Sequence, residues 1–214
     1  MSKLLSIQEI LKSKWPTILQ NAFGDNLVSA FLHGSCLMEG FSALRSPWTV
    51  SFILQDNAPD RLDRIRGLAK QAQRENIQFR YFFSPVEIVQ SLDIFPLEYL
   101  HIANRNIPLC GIPPLAGFVP PQAALRLQCD HELRGSIVHL RHDIANAKPG
   151  TSLEKIVEAT LEDMLPLFYG VYYLKTLTYP ETHLQAKERF PFLDSKNPAE
   201  VIDGIQKTIL SLKA

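Results

Sequence analysis

The chain has 214 residues, with 22 Lys and Arg balanced by 22 Asp and Glu, and 46% of its residues are hydrophobic. That composition excludes a disordered chain and argues against a duplex-DNA binder, which carries a basic surplus. The balance holds in each half, so neither half is a basic arm or an acidic tail.

The first elements follow from capping signals. Ser6-Ile7-Gln8-Glu9, Ser84-Pro85-Val86-Glu87, Thr151-Ser152-Leu153-Glu154 and Asn197-Pro198-Ala199-Glu200 each set a Glu at the third helical position after a capping side chain. Pro85 and Pro198 fall at the first helical position, where a missing N–H costs nothing. Helices are therefore predicted to begin near 7, 85, 152 and 198. Leu27–His33, Thr49–Gln55 and Ile77–Phe83 are rich in β-branched and aromatic residues and are predicted strands. Asp60–Glu75 is predicted to be one charged helix, with Leu62, Ile65, Leu68 and Ala69 on a single face.

Residues 104–121 hold five of the 15 prolines, which excludes a single helix and marks a boundary. A short strand around Ile107–Leu109 fits inside it. Beyond it, Leu125, Cys129, Leu133, Ile137, Leu140 and Ile144 form an apolar stripe at helical spacing. Lys148-Pro149-Gly150 ends that helix. A broader stripe from Leu153 to Leu174 predicts a central helix containing Pro166. A short helix near 181–189 and an amphipathic one through Val201, Ile205 and Ile209 complete a bundle of about four. The expected architecture is α+β, a mixed sheet with flanking helices over 1–120 and an all-helical bundle over 121–214.

The three cysteines, Cys36, Cys110 and Cys129, form no CxxC pair and predict reduced, mostly buried thiols. Residues 1–15 lack the apolar core and cleavage site of a leader, and no apolar run approaches the roughly 20 residues of a membrane helix. These features predict a cytoplasmic protein with no membrane partner.

The chemistry, if any, is expected after the first strand. Phe31-Leu32-His33-Gly34-Ser35 ends in a Gly-Ser turn, and ten residues then separate Ser35 from Ser46, just before the second strand. This layout resembles the nucleotidyltransferase fold. Two longer runs resemble a family of uncharacterised bacterial nucleotidyltransferase-like proteins. They are Leu92-Asp93-Ile94-Phe95-Pro96-Leu97-Glu98-Tyr99-Leu100 and Leu125-Arg126-Leu127-Gln128-Cys129-Asp130-His131-Glu132-Leu133-Arg134-Gly135. Family members carry D-x-F-P-x-E-F and then L-R-x-Q-x-E-x-E-L-R-G-K before a helical half. The resemblance covers about residues 25–145.

What it implies is specific. The Gly-Ser backbone would cradle nucleotide phosphates as an anion nest, which nominates Gly34, Ser35 and Ser46 for a phosphate-binding relic. The next strand would open Ser-Asp-x-Asp, and its two carboxylates would hold Mg²⁺. Laying Ser46 on that Ser puts Pro47 and Thr49 at the two Asp positions, and neither can replace a carboxylate. The third strand offers Arg80 and no acid. Asp56 lies roughly 23 Å past Thr49 along an extended strand, at the wrong end. Glu39 is a loop carboxylate near the turn. His33, Glu39 and Arg80 complete the cleft candidates, with His33 read either as a cleft-edge group or as a packed strand end.

The resulting expectation is a catalytically inactive nucleotidyltransferase-like protein that acts as a nucleotide- or anion-binding or regulatory module, with no catalytic residue, metal or cofactor. The alternatives are an active Mg-NTP-dependent nucleotidyltransferase and an assembly protein that forms a homodimer. Nucleic acid is not an expected partner.

Other patterns in the sequence have plainer readings. Arg126/His131 and Arg134/His139 match the R-x4-H spacing of HEPN ribonucleases, but two matches in one basic helix show how cheaply it arises. Helix-surface pairing with Asp130 and Glu132 is the plainer reading. His139 and His142 lack a third metal ligand. Asp93 and Glu98 around Pro96 read as capping groups of a turn.

Overall fold

The computed structural model describes residues 6–38, 41–44, 46–63 and 65–213. The chain divides into two compact units, Met1–Leu92 with Glu98–Val119, and Asp93–Leu97 with Pro120–Ala214.

The first unit opens with α1 (Ile7–Leu11) and α2 (Trp15–Phe23). The capping box forms at α1: the Glu9 N–H donates to Ser6 Oγ, and Glu9 Oε2 accepts from the Ser6 N–H. A second short helix follows because Ser13 interrupts the first. Its hydroxyl donates to the Ile10 carbonyl and accepts the Trp15 N–H, so side chain competes with helix at that point.

β1 (Leu27–His33), β2 (Trp48–Leu54) and β3 (Ile77–Phe83) are joined by β4 (Asn106–Gly111) in one sheet of order β3-β2-β1-β4. β1 runs antiparallel to both β2 and β4, and β2 runs parallel to β3. Pro108 is accommodated because β4 is an edge strand, where one missing N–H need not break a ladder.

Strand alternation divides the unit's core. Ala30, Leu32, Val50, Phe52 and Leu54 point to one face and pack with Ile10, Trp15 and Leu19. Phe31 and Ile53 point to the other and pack with Ile88, Tyr99 and Ile102. Phe52 stacks on Phe82 and meets Phe79 edge-on, each with centroids 4.9 Å apart.

The single helix expected over 60–75 is two, α3 (Pro59–Asp63) and α4 (Arg66–Arg74). Buried Ile65 caps α4 outside helical geometry, and Gly67 just beyond it is a weak helix former. α5 (Pro85–Gln90) starts with a complete capping box between Ser84 and Glu87. α6 (Pro96–Asn104) was not expected; it occupies the run read as a proline turn.

The second unit is helical: α7 (Gln122–Asn146), α8 (Leu153–Thr176), α9 (His183–Arg189) and α10 (Pro198–Ser211). α8 continues through Pro166. Gly170 lets α8 approach α7 closely, since a Cβ there would run into Leu97 Cδ1 and sit 3.2 Å from Cys129 Sγ. Phe168 packs between Phe190 and Phe192, and Val201, Ile205 and Ile209 carry the buried face of α10. Cys36 and Cys129 are buried, and Cys110 is half-buried. Among the described residues no helix is long and apolar enough to cross a membrane.

Candidate functional site

The strand directions gather four chain ends at one edge of the sheet. His33 ends β1 opposite Asn106, the start of β4, while Trp48 and Thr49 open β2 opposite Ile77 and Gln78 of β3. The expected turn lies at this edge. It is a short 3-10 segment, Gly34–Leu37. Gly34 has φ +79°, a left-handed conformation that glycine adopts without strain. A positive-φ residue leading into a tight turn is the backbone form of an anion nest.

Ser35 is exposed, and its carbonyl accepts the Met38 N–H at 3.0 Å. Arg105 reaches the same turn, with Nη1 donating to the Leu37 carbonyl at 3.2 Å. Ser46 is half-buried and contributes backbone: its N–H donates to the Ser42 carbonyl, and its own carbonyl accepts from Asn76 Nδ2 at 3.4 Å. Asn76, itself at φ +60°, also holds the Ala43 carbonyl at 2.8 Å and accepts the Trp48 N–H.

His33 is buried rather than open at the edge. Its Nε2 lies 2.7 Å from Ser51 Oγ, and Ser51 Oγ also accepts the Tyr81 N–H at 3.0 Å. The Ser51 hydroxyl has one proton and two lone pairs, so it can meet both the Tyr81 N–H and His33 Nε2, the direction of the second bond being set by the imidazole tautomer. The Tyr81 ring stacks on His33 with centroids 5.6 Å apart, and the Arg80 guanidinium lies 5.1 Å from the Tyr81 ring centroid. Burial first, and then the Arg80 charge, push the His33 pKa down to about 4. Cys36 Sγ donates to the His33 carbonyl at 3.0 Å, and burial raises its thiol pKa.

His33, Gly34, Ser35, Ser46 and Arg80 thus belong to one edge and the sheet face beside it. Glu39 lies outside the described residues. Thr49 is buried and shares a face of β2 with Ser51, while Pro47 is half-buried. Among the described residues no three His, Cys, Asp or Glu side chains gather as a metal site would need. Asp56 does structural work elsewhere: its Oδ1 accepts the Ala58 N–H, and its carboxylate pairs with Arg61 at 3.4 Å.

Sequence reasoning missed Ser51, Tyr81 and Arg105. Ser51 had a usable signal, a polar residue on the face of Thr49 in an otherwise apolar strand. Arg105 had none, because it approaches the turn from 68 residues away.

The remaining candidates resolve into ordinary surface chemistry. Arg134 makes a bidentate pair with Asp130 at 2.9 and 3.1 Å, one helical turn away. His131, His139 and His142 are exposed, and His142 contacts Asn146. Glu98 stands in the first turn of α6, where an acid favours the helix dipole. No protein-family model matches the chain, and no curated protein matches its sequence.

Proposed function

We propose that the protein is a catalytically inactive, nucleotidyltransferase-like module that binds a nucleotide or another phosphate-bearing anion at the Gly34–Leu37 turn. The observation that carries this reading is the left-handed Gly34 at the end of β1 with the Arg105 guanidinium held on the same turn. Backbone N–H groups and a guanidinium suit phosphate oxygens without a metal. If Ser46 corresponds to the motif's serine, Pro47 and Thr49 take the positions of its two carboxylates, so on this reading phosphoryl transfer would lack its metal ligands while the turn would still hold an anion.

The test is a thermal-shift titration with each nucleoside triphosphate and with pyrophosphate, with and without Mg²⁺. Stabilisation that does not depend on Mg²⁺ and is lost in Gly34→Val and Arg105→Ala is the expected result. Mg²⁺-dependent stabilisation accompanied by nucleotidyl transfer would overturn the reading, and so would no stabilisation by any of these anions.

A further inference from the structure

Arg80 is exposed on β3, and among the described residues no acidic side chain pairs with it. Its guanidinium carbon lies 5.1 Å from the Tyr81 ring centroid, and the Tyr81 ring stacks in turn on His33. His33 leads directly into Gly34, where the turn begins. Two ring contacts therefore connect a cation on β3 with the turn at the end of β1. An aromatic ring holds a guanidinium in place while leaving its edge donors free.

The surroundings leave that charge uncancelled. β1, β2 and β3 contain no Asp or Glu. The Arg80 charge reaches His33, where it opposes protonation, so the imidazole between the cation and the turn is neutral near pH 7. The strand order β3-β2-β1-β4 sets two guanidiniums on opposite sides of β1. Arg105, just before β4, sits on the turn itself, and Arg80 stands on β3. β3 lies two strand spacings from β1, roughly 10 Å. One phosphate group is too small to meet both cations, whereas a chain of phosphates can extend from one toward the other.

We propose that Arg80 is the second cation of the anion site and binds the far end of a condensed phosphate, a di- or triphosphate group whose near end lies in the Gly34–Leu37 turn beside Arg105. The inference rests on the anion-binding reading of that turn and adds the class of anion it selects. Guanidinium groups meet phosphate oxygens bidentately and carry their own charge to the contact. The neutral His33–Tyr81 stack between the two cations gives a polyanion no repelling carboxylate to cross.

The test is titration calorimetry near neutral pH without divalent metal, using orthophosphate, pyrophosphate and tripolyphosphate. In the native protein, affinity should rise about tenfold or more from the first to the last, the worth of one added charge-assisted contact. Arg80→Ala, with unchanged circular dichroism, should bind orthophosphate like the native protein and lose that gain. Arg74→Ala removes an equal charge from an exposed position on α4 and should keep the gain. Adenosine mono-, di- and triphosphate distinguish the source of the chain. The same ranking among them supports Arg80 acting on a nucleotide, and a gain confined to the free phosphates supports it acting on polyphosphate. No gain with length overturns the proposal and leaves the turn as an anion site. So does a gain that survives Arg80→Ala, one that Arg74→Ala abolishes equally, or a matching loss of orthophosphate binding in Arg80→Ala. Binding of none of these anions overturns the proposal and the reading of the turn together.

Discussion

His33 Nε2 lies 2.7 Å from Ser51 Oγ inside the sheet face, and the same oxygen accepts the Tyr81 backbone N–H. The contact resembles a catalytic Ser–His dyad only in distance. Ser51 is fully buried and its oxygen is engaged by backbone, so it is no nucleophile. The pair instead holds β1, β2 and β3 in register at the edge where Gly34 turns.

That burial makes stability depend on pH. An unfolded histidine takes its proton near 6.5, whereas folded His33 resists protonation until about pH 4. Between those values the unfolded state binds more protons, so this contribution is full above pH 6.5 and is lost as pH falls toward 4. The loss is on the order of 3 kcal/mol. Urea midpoints measured across that window should fall with pH in the native protein and run flatter in His33→Gln. An equal slope in both would show that another group carries the effect.

Gly34 should tolerate side chains according to torsion rather than size. Nothing stands within 4 Å of a Cβ built there, but φ is +79°. Gly34→Val should cost about 1–2 kcal/mol in urea unfolding, and Gly34→Asn clearly less, because asparagine enters left-handed backbone more readily. Equal losses would argue that space is limiting.

The buried Trp15 indole N–H donates to Glu75 Oε2 at 2.9 Å, while Lys14 pairs with the other carboxylate oxygen. Glu75→Ala removes the acceptor and should destabilise the first unit by about 1–2 kcal/mol, with a shift in tryptophan emission. Glu75→Gln keeps an acceptor and should lose much less.

Two helix glycines should respond to alanine with opposite sign. Gly135→Ala meets open space and should stabilise by about 0.5–1 kcal/mol in urea unfolding. Gly170→Ala drives a methyl into Leu97 and toward Cys129 and should destabilise by about 1–3 kcal/mol.

Pro47→Asp combined with Thr49→Asp tests the reading of the turn as a metal motif without its carboxylates. Because Thr49 is buried, the doubly substituted protein should be less stable than the native one without metal. Mg²⁺ should restore part of that loss, and titration calorimetry should detect binding absent from the native chain. A folded variant that ignores Mg²⁺ would show that Ser46 does not correspond to the motif's serine.

By itself the sequence determined what local interactions determine. The Ser6–Glu9 and Ser84–Glu87 boxes act over three residues, and Pro85 and Pro198 sit where a helix can begin, so those starts were legible. β1 and β3 have the predicted limits because their composition changes sharply at both ends. The interruption at Ser13 and the break at Ile65 were less visible, since each depends on which competing bond or burial wins. Only the tertiary structure decided the strand order, and with it the company His33 keeps. Ser51 is 18 residues from His33, and Arg105 is 68 from Leu37. No local propensity encodes such contacts. They exist because antiparallel β1 and β4 and parallel β2 and β3 bring four distant chain ends to one edge of the sheet.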